Sequence, residues 1–380
     1  MDLFKRFIEY IDQYRLFAPK DKLLLAVSGG VDSVVLCELC KQAGYDFVIA
    51  HCNFQLRGEE SERDEQFVKK LGEKYKVEVK VKRFETESYA SENKISVQEA
   101  ARELRYDWFQ ELINQSTSQP INWLLTAHHA DDNNETLLMN FFRGTGLHGL
   151  TGIPMKIGYI RRPLLPFLKD ELIAFAKKNK LDFVEDSSNA SSKYTRNFFR
   201  NEIIPATSKV YPQVKENLQD NINRFKEIEN LYKFSVGGLI RKLCIKKGNE
   251  IHIPVKQLMG YSNRALIYEI ISTYGFNEKQ VDEVIKLAGS DSGKYIQSDS
   301  HRILKHRHWF IISPVNAEQS ENIIIEEGMN NAQYAMGNMQ IKSFPVANCQ
   351  LSIQKHASTW MSSVFLYCFA NGNKATISIH

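Results

Sequence analysis

An α/β fold with a doubly wound, mostly parallel sheet is what this sequence predicts from residue 20 to about 210. Three observations predict it. Strand-like apolar runs alternate with amphipathic helical segments, the pattern of crossover-connected parallel strands. A turn of small and polar residues, Ser28 to Ser33, joins the first apolar run directly to a helical one. Polar clusters then recur just beyond later apolar runs, at the carboxyl strand ends where such sheets bind ligands.

Taken in order, "KLLLAV" is a buried strand, followed by a helix through Lys41. "DFVIAHCNF" is a second strand, and "EESERDEQFVKKLGEKY" a helix with paired charges at helical spacing. "VEVKVKRF" alternates like a half-buried strand, "SVQEAARELRYDWFQELI" is an amphipathic helix, and "INWLLTAHH" is another buried strand with a helix starting near Asp132. After Pro212 the pattern changes. "VKENLQDNINRFKEIENLYKFSVGGLIRKL" reads as one long helix, with shorter ones at "SNRALIYEIISTYG" and "NEKQVDEVIKLAG". "KYIQSDSHRILKHRHWFIISPV" alternates as paired strands do, and the last fifty or so residues lean towards β without a recognisable motif. The expected organisation is therefore 1–212, an α/β domain; 213–315, a helical subdomain; and 316–380, a small, partial, β-leaning C-terminal region.

The chain has 380 residues, 43% of them hydrophobic and 25% charged, enough to build two or three domains with sizeable cores. A net charge of +4 is compatible with a polyanionic partner but too small to argue for one. No apolar run reaches the roughly eighteen residues of a membrane span, and the opening "MDLFKRFIEYIDQYRLF" lacks the apolar block of a signal peptide. Six cysteines, at 37, 40, 52, 244, 349 and 368, are scattered and read as reduced thiols in a cytoplasm. Cys37 and Cys40 share one helix face with no second pair at zinc spacing, so core packing is the better reading.

The loop from Ser28 to Ser33 carries the first chemical signal. Gly29 and Gly30 remove Cβ atoms, so backbone amides, including that of Val31, can curl around a phosphate. Ser28 and Ser33 offer hydroxyls, and the following helix N-terminus favours an anion. Asp32 would repel a bare phosphate, which implies a Mg²⁺ ion bridging its carboxylate to pyrophosphate. The loop has no lysine, unlike the usual nucleoside triphosphatase loop, and Gly293-Lys294 is wrongly spaced for one. A tight strand-to-helix turn capped by Asp32 and Ser33 is the bland alternative.

"AVSGGVDSVVL" resembles the pyrophosphate loop of the N-type ATP pyrophosphatases. The resemblance implies an adenine nucleotide alpha hydrolase-like fold, with ATP cleaved between its α- and β-phosphates and an acceptor oxygen adenylated. Three further stretches occur in order: "AHCNFQLRGEESERDEQFV", "LLTAHHADDNNETLLMNFFRGTGLHGLTGI", and "RRPLL" with "FVEDSSNASSKYTRNFFRNEIIP". With the loop they resemble the tRNA(Ile)-lysidine synthetase family across about residues 20 to 210. That resemblance implies a cytoplasmic ligase that adenylates C2 of the wobble cytidine, position 34, in the CAU anticodon of tRNA(Ile). Free L-lysine then displaces AMP. The implied partners are that tRNA and lysine, with no membrane; a homodimer stays open beside a monomer.

Asp131, Asp132 and Glu135 crowd a helix start after a buried strand. Asp132 and Glu135 have capping-box spacing, which would leave Asp131 over. By the resemblance, Asp132 and Glu135 orient the lysine ammonium, and one carboxylate or His128 accepts its proton. His128 and His129 alternate on a strand end, so one faces the site; the family register favours His128. Arg196 and Arg200, like Asn197 and Asn201, are four apart on an expected helix and could clamp phosphate or RNA, or be a solvated face. Arg57 and Arg143, the latter beside Gly144, Gly146 and Gly149, are weaker candidates for substrate contact. His306 and His308 are expected on one face of a basic strand rather than at a metal.

Longer members of the family carry a basic, Gly- and Lys-rich C-terminal domain that grips the tRNA acceptor end, so residues 316–380 are expected to be a shortened version. Two rivals remain. A tRNA thiolation ATPase of the same superfamily would place cysteines around the nucleotide, and a regulatory nucleotide-binding module would do no chemistry.

Overall fold

Leu23, Leu24 and Leu25 have no solvent exposure because both faces of their strand are covered. Alternation along a strand sends Leu23 and Leu25 to one face and Leu24 to the other. The first face meets a core of Phe7, Ile11, Val35, Leu36, Leu39 and Phe167. The second meets Phe84, Trp108 and Phe109. A strand apolar on both faces needs helices on both sides, the layering of a parallel α/β sheet.

The computed structural model describes residues 2–115, 120–184 and 195–315, together with the backbone of six short strands between 323 and 379. It divides into two compact units, Met1–Lys233 and Phe234–His380. The first begins with α1 (Leu3–Tyr14), β1 (Lys22–Ala26), α2 (Val31–Gln42), β2 (Asp46–Asn53), α3 (Glu59–Tyr75) and β3 (Val79–Arg83). It continues through α4 (Thr86–Asn93), α5 (Val97–Gln115), β4 (Trp123–Leu125), α6 (Ala130–Phe142) and α7 (Leu147–Leu150). The short strands β5 (Lys156–Ile157) and β6 (Ile160–Arg161) and helix α8 (Lys169–Lys178) follow.

The sheet order is β3-β2-β1-β4-β6-β5. All neighbours are parallel except the edge pair β5 and β6. The chain steps outward from β1 to β3, then returns to lay β4 on the other side of β1, where Leu25 pairs with both Ile49 and Leu125. That reversal opens a crevice at the carboxyl ends of β1 and β4, where ligands bind in such sheets. Helix α2 is buried nearly all round, which is why its apolar residues show little sidedness. Cys37 and Cys40 are part of that packing, and burial pushes both thiols well up, so the core reading of this pair holds.

Past α8 the expected straight helix at 195–205 is not regular. α9 (Thr195–Phe198) runs into a π-helical turn, Phe199–Ile203, and then α10 (Ile204–Ser208). Pro205 has no N–H for the Asn201 carbonyl and its ring would crowd it, so the wider turn absorbs the mismatch. Ile204 N–H accordingly bonds Phe199 O, five residues back. The long helix α11 (Val214–Leu243) has the bounds read from sequence and crosses the division between the units.

The second unit carries a five-stranded antiparallel sheet in the order β7-β8-β11-β10-β9. Its strands are β7 (Ile245–Lys247), β8 (Glu250–Pro254), β9 (Tyr295–Gln297), β10 (His301–His306) and β11 (Trp309–Pro314). Helices α12 (Val255–Gly260), α13 (Arg264–Ser272) and α14 (Gln280–Ala288) pack on it through Leu258, Ile267, Ile271 and Val284 against Ile303, Phe310 and Ile312. The hairpin of β7 and β8 was not read from sequence; it turns at Gly248, whose φ of +58° suits a tight two-residue loop. His306 and His308 do not share one strand face, because β10 ends at His306 and a turn at Arg307, with φ +51°, carries His308. Two three-stranded antiparallel sheets are described beyond residue 320.

Phe7 ties α1 to the sheet core with no exposure. Phe7→Ala is expected to lower the unfolding free energy by about 3–5 kcal/mol in urea titrations. A loss under about 1 kcal/mol would show that α1 is not part of the cooperative core.

Candidate active site

β1 ends at the glycine loop, and the backbone explains the first glycine. Gly29 has φ +96°, a region that side chains resist, and its carbonyl accepts a 2.9 Å bond from Val184 N–H. Ser33 Oγ accepts from Gly29 N–H at 3.2 Å and donates to Gly30 O at 2.8 Å, while Gly30 N–H reaches Ser28 Oγ at 3.4 Å. The two hydroxyls thus brace the loop from within. The bond from Val34 N–H to Gly30 O, 3.1 Å, opens α2, so the amides of Val31, Asp32 and Ser33 belong to the open N-terminal turn. Such a turn suits an anion.

Asp32 sits in that turn and is already paired. Lys169 Nζ lies 2.8 and 2.7 Å from its two carboxylate oxygens. Sequence reading noted only that the loop itself lacks a lysine; the cation comes from the first residue of α8. The same residue's backbone N–H bonds Asp131 Oδ2 at 2.7 Å, and Lys215 Nζ lies 2.9 Å from Asp131 Oδ1. Burial would raise the Asp131 carboxyl, but the Lys169 amide and the Lys215 ammonium outweigh it and hold it below its usual range. The acid left over by the capping-box reading therefore joins α6, α8 and α11.

The capping register also differs from the expected one. α6 starts at Ala130, and Asp132 Oδ2 accepts the His129 N–H at 3.1 Å, so Asp132 is the third-position acid, one turn earlier than the Asp132–Glu135 box. Glu135, freed from capping and fully buried, meets Arg200: Nε at 2.6 Å and Nη2 at 3.0 Å from its two oxygens. Arg200 Nη2 also reaches Asp132 Oδ1 at 3.1 Å. Arg196 Nε lies 3.6 Å from Glu135 Oε2, and its Nη2 donates to Thr136 Oγ1 at 3.1 Å. The two constellations read separately in the sequence are one cluster. Burial pushes the Glu135 carboxyl up, with Arg200 pulling against it.

Beside the cluster lies a cavity of about 280 Å³. Its polar wall includes Ser28, Asp32, Ser33, His128, Asp132 and Arg196. The rest of its wall, with Ala50, Cys52, Phe54, Tyr106 and Phe109, is largely apolar apart from Arg105. The α5 contribution to that wall, Arg105 to Phe109, was missed, because an amphipathic helix announces only its core face; the pair "RY" was the one visible hint. Burial pushes the Cys52 thiol up to about 12, with Arg105 and Lys82 acting the other way.

His128 faces the cavity, its Nδ1 2.9 Å from Thr126 Oγ1. His129 lies buried beneath it, with Nε2 3.7 Å from Asp32 and 3.6 Å from Asp132, and Nδ1 3.7 Å from Asp131. Arg57 is not at the cavity; it pairs with Asp64 at 3.3 Å at the start of α3. Arg143 is exposed at the far end of α6, and Asn197 and Asn201 lie on the α9–π segment without reaching the cavity wall. "DSSNASSKY" falls outside the described residues.

Burial is the main reason the His128 imidazole is pushed down from the ordinary 6.5 to about 4; Asp132 opposes it, and Arg162 and Arg196 add to it. The unfolded chain then binds more protons than the folded one between about pH 4 and 6.5, so stability is lost as pH falls through that window. His128→Gln is expected to remove this slope. In urea titrations at several pH values the variant should gain on the parent from pH 6.5 down to 4; a pH-independent difference would place His128 in water.

A family model described as a PP-loop domain matches residues 3–207, and one described as a TilS substrate binding domain matches residues 246–315. The chain is 36% identical over 319 residues to a tRNA(Ile)-lysidine synthase of Bacteroides thetaiotaomicron, covering 84% of this chain and 74% of that one. It is 33% identical to the enzyme of the same name from Parabacteroides distasonis, over 85% of this chain and 73% of the relative. For the Chlorobaculum tepidum protein of that name the figures are 34%, 72% and 84%. Two domain models matched in order, and a third of the residues shared over most of the length, lead to one conclusion: the chain belongs to the tRNA(Ile)-lysidine synthase family of PP-loop proteins.

Proposed function

We propose that this protein joins free L-lysine to C2 of cytidine 34 in the CAU anticodon of tRNA(Ile), consuming ATP and releasing AMP and pyrophosphate. One observation carries the reading: the glycine loop, the acid–guanidinium cluster and an apolar wall meet around a single cavity at the crevice between β1 and β4. The apolar wall suits an adenine ring, and the open amides of Val31 to Ser33 suit the triphosphate. The cytidine C2 oxygen attacks the α-phosphorus, and the bond to pyrophosphate breaks. The lysine ε-amine then attacks C2, and AMP leaves with the former C2 oxygen.

Within this chain the roles divide. Lys169 and the loop amides offset charge on the leaving pyrophosphate. Magnesium, when bound with ATP, adds to that neutralisation, and Asp32 is the residue that would hold it. One carboxylate would suffice, because Mg²⁺ is commonly held by one or two carboxylates together with substrate phosphates. Asp132 and Glu135 orient the incoming ammonium, sharing themselves between it and Arg200. One of these carboxylates or His128, which lines the cavity with Asp132, takes the ammonium proton. Arg196, on the cavity wall, takes the nucleotide or RNA backbone. No helix among the described residues is long and apolar enough to cross a membrane, and the cytoplasm is where ATP, lysine and tRNA meet.

Sulfur transfer fits less well. The thiolate is the reactive form, and among the described residues the one cysteine on the cavity wall, Cys52, is pushed up to about 12 by burial.

Purified protein given labelled lysine, ATP and a CAU tRNA should transfer label to RNA with equimolar pyrophosphate; a thiolated base, or no transfer, would overturn the assignment. Asp132→Asn should raise the lysine KM about tenfold and the ATP KM less than twofold, whereas equal rises would leave it only a helix cap. Lys169→Met should slow lysine-dependent pyrophosphate release about tenfold or more, since the loop has no lysine of its own; an unchanged rate would confine Lys169 to holding Asp32.

A further inference from the structure

A ridge of phenylalanine rings stands in solvent beside the cluster. Phe141 is 63% exposed, Phe142 68% and Phe198 44%. The rings are contiguous: Phe141 and Phe142 have centroids 5.7 Å apart, Phe142 and Phe199 5.7 Å, and Phe199 and Phe198 6.3 Å. Phe199 is buried and pins the others. Exposed aromatic surface of this size marks an interaction site.

Its position says what it meets. Glu135 and Phe142 are seven residues apart on α6, so they lie on one face with about 10 Å of helix axis between them. Across from them, Phe198 and Phe199 lie between Arg196 and Arg200, the two arginines that hold Glu135. The two elements that build the acidic cluster therefore also build the ridge. Arg143 follows Phe142 directly and is exposed, and Arg196 keeps 43% of its side chain in solvent. Aromatic faces interleaved with arginines are the chemistry of unpaired nucleotides: bases stack on the rings and guanidinium groups hold the phosphates.

Resting on the function proposed above, we propose that Phe141, Phe142 and Phe198 form a stacking platform for the unpaired bases next to the reacting cytidine. A base drawn into the cavity leaves its neighbours unstacked, and the ridge replaces the lost stacking one or two nucleotides away. It is an RNA-positioning surface, with no part in the chemical steps.

The test uses the full chain and a fluorescent CAU anticodon stem-loop. Phe142→Ala with Phe198→Ala should weaken binding about tenfold or more in fluorescence anisotropy while leaving ATP affinity unchanged. Phe142→Trp, which keeps a stacking face, should bind like the parent. RNAs with a single abasic site beside the cytidine should bind the parent as weakly as intact RNA binds the alanine variant, with no further loss when both changes are combined. Alanine variants that bind within twofold of the parent would overturn the platform, as would additive losses with abasic RNA. Variants that turn a dimer into a monomer in light scattering, with RNA affinity intact, would also overturn it and make the ridge a subunit interface. A parent that transfers lysine while its alanine variant binds RNA normally refutes the platform alone. A parent that binds the stem-loop through the ridge but transfers no lysine supports the platform and refutes only the ligase reading.

Discussion

Pairing of charge at the crevice is the constraint on which the rest of this unit depends. Asp131 and Glu135 are buried, Asp132 and Asp32 keep 14% and 24% of their side chains in solvent, and carboxylates drawn this far from water need partners. Removing a partner from a buried pair is strongly destabilising, and the effect is tempered here because Lys169, Lys215 and Arg200 keep 34%, 32% and 33% of their side chains in solvent. Lys169 serves Asp32, Lys215 and the Lys169 amide serve Asp131, and Arg200 serves Asp132 and Glu135. These bonds tie α2, α6, α8, α11 and the π-helical turn to one point at the sheet edge. The same groups that make the site reactive therefore fix its geometry.

On the function proposed above, substrates would enter this arrangement by exchange. An ammonium approaching Glu135 meets a carboxylate already held by a guanidinium, and a metal approaching Asp32 meets an ammonium. Each newcomer replaces or shares a bond that exists, so the net cost of desolvating its own charge is partly offset by what is already arranged. Preorganisation of this kind favours ligands with the right charge and size over water and simple ions.

How far the sequence revealed this depends on distance along the chain. The glycine loop was legible because its demand is local: Gly29 sits at a positive φ, and the string around it leaves few uses. The start of α6 was legible for the same reason, though the capping register was misread by a turn. Lys169 was not, because it meets Asp32 across 137 residues and nothing local marks a lysine at a helix start as a partner. The pairing of Arg200 with Glu135, 65 residues apart, was hidden likewise, although both residues had been singled out. The π turn had a visible cause in Pro205 that a regular i, i+4 reading ignored. Arg105, Tyr106 and Phe109 were masked by the amphipathic pattern of α5, which fixes a core face and leaves the cavity-facing positions undistinguished.

Lys169 spans the crevice with two independent grips, its ammonium on Asp32 and its backbone amide on Asp131. A triphosphate can pull away the first without loosening the second. On the function proposed above, the side chain would swing like a latch while its hinge stays fixed, and the neighbouring acidic lip would keep its shape as the nucleotide settles. Loading one half of the reaction need not disturb the other, which is what a two-stage ligation at a single cavity requires.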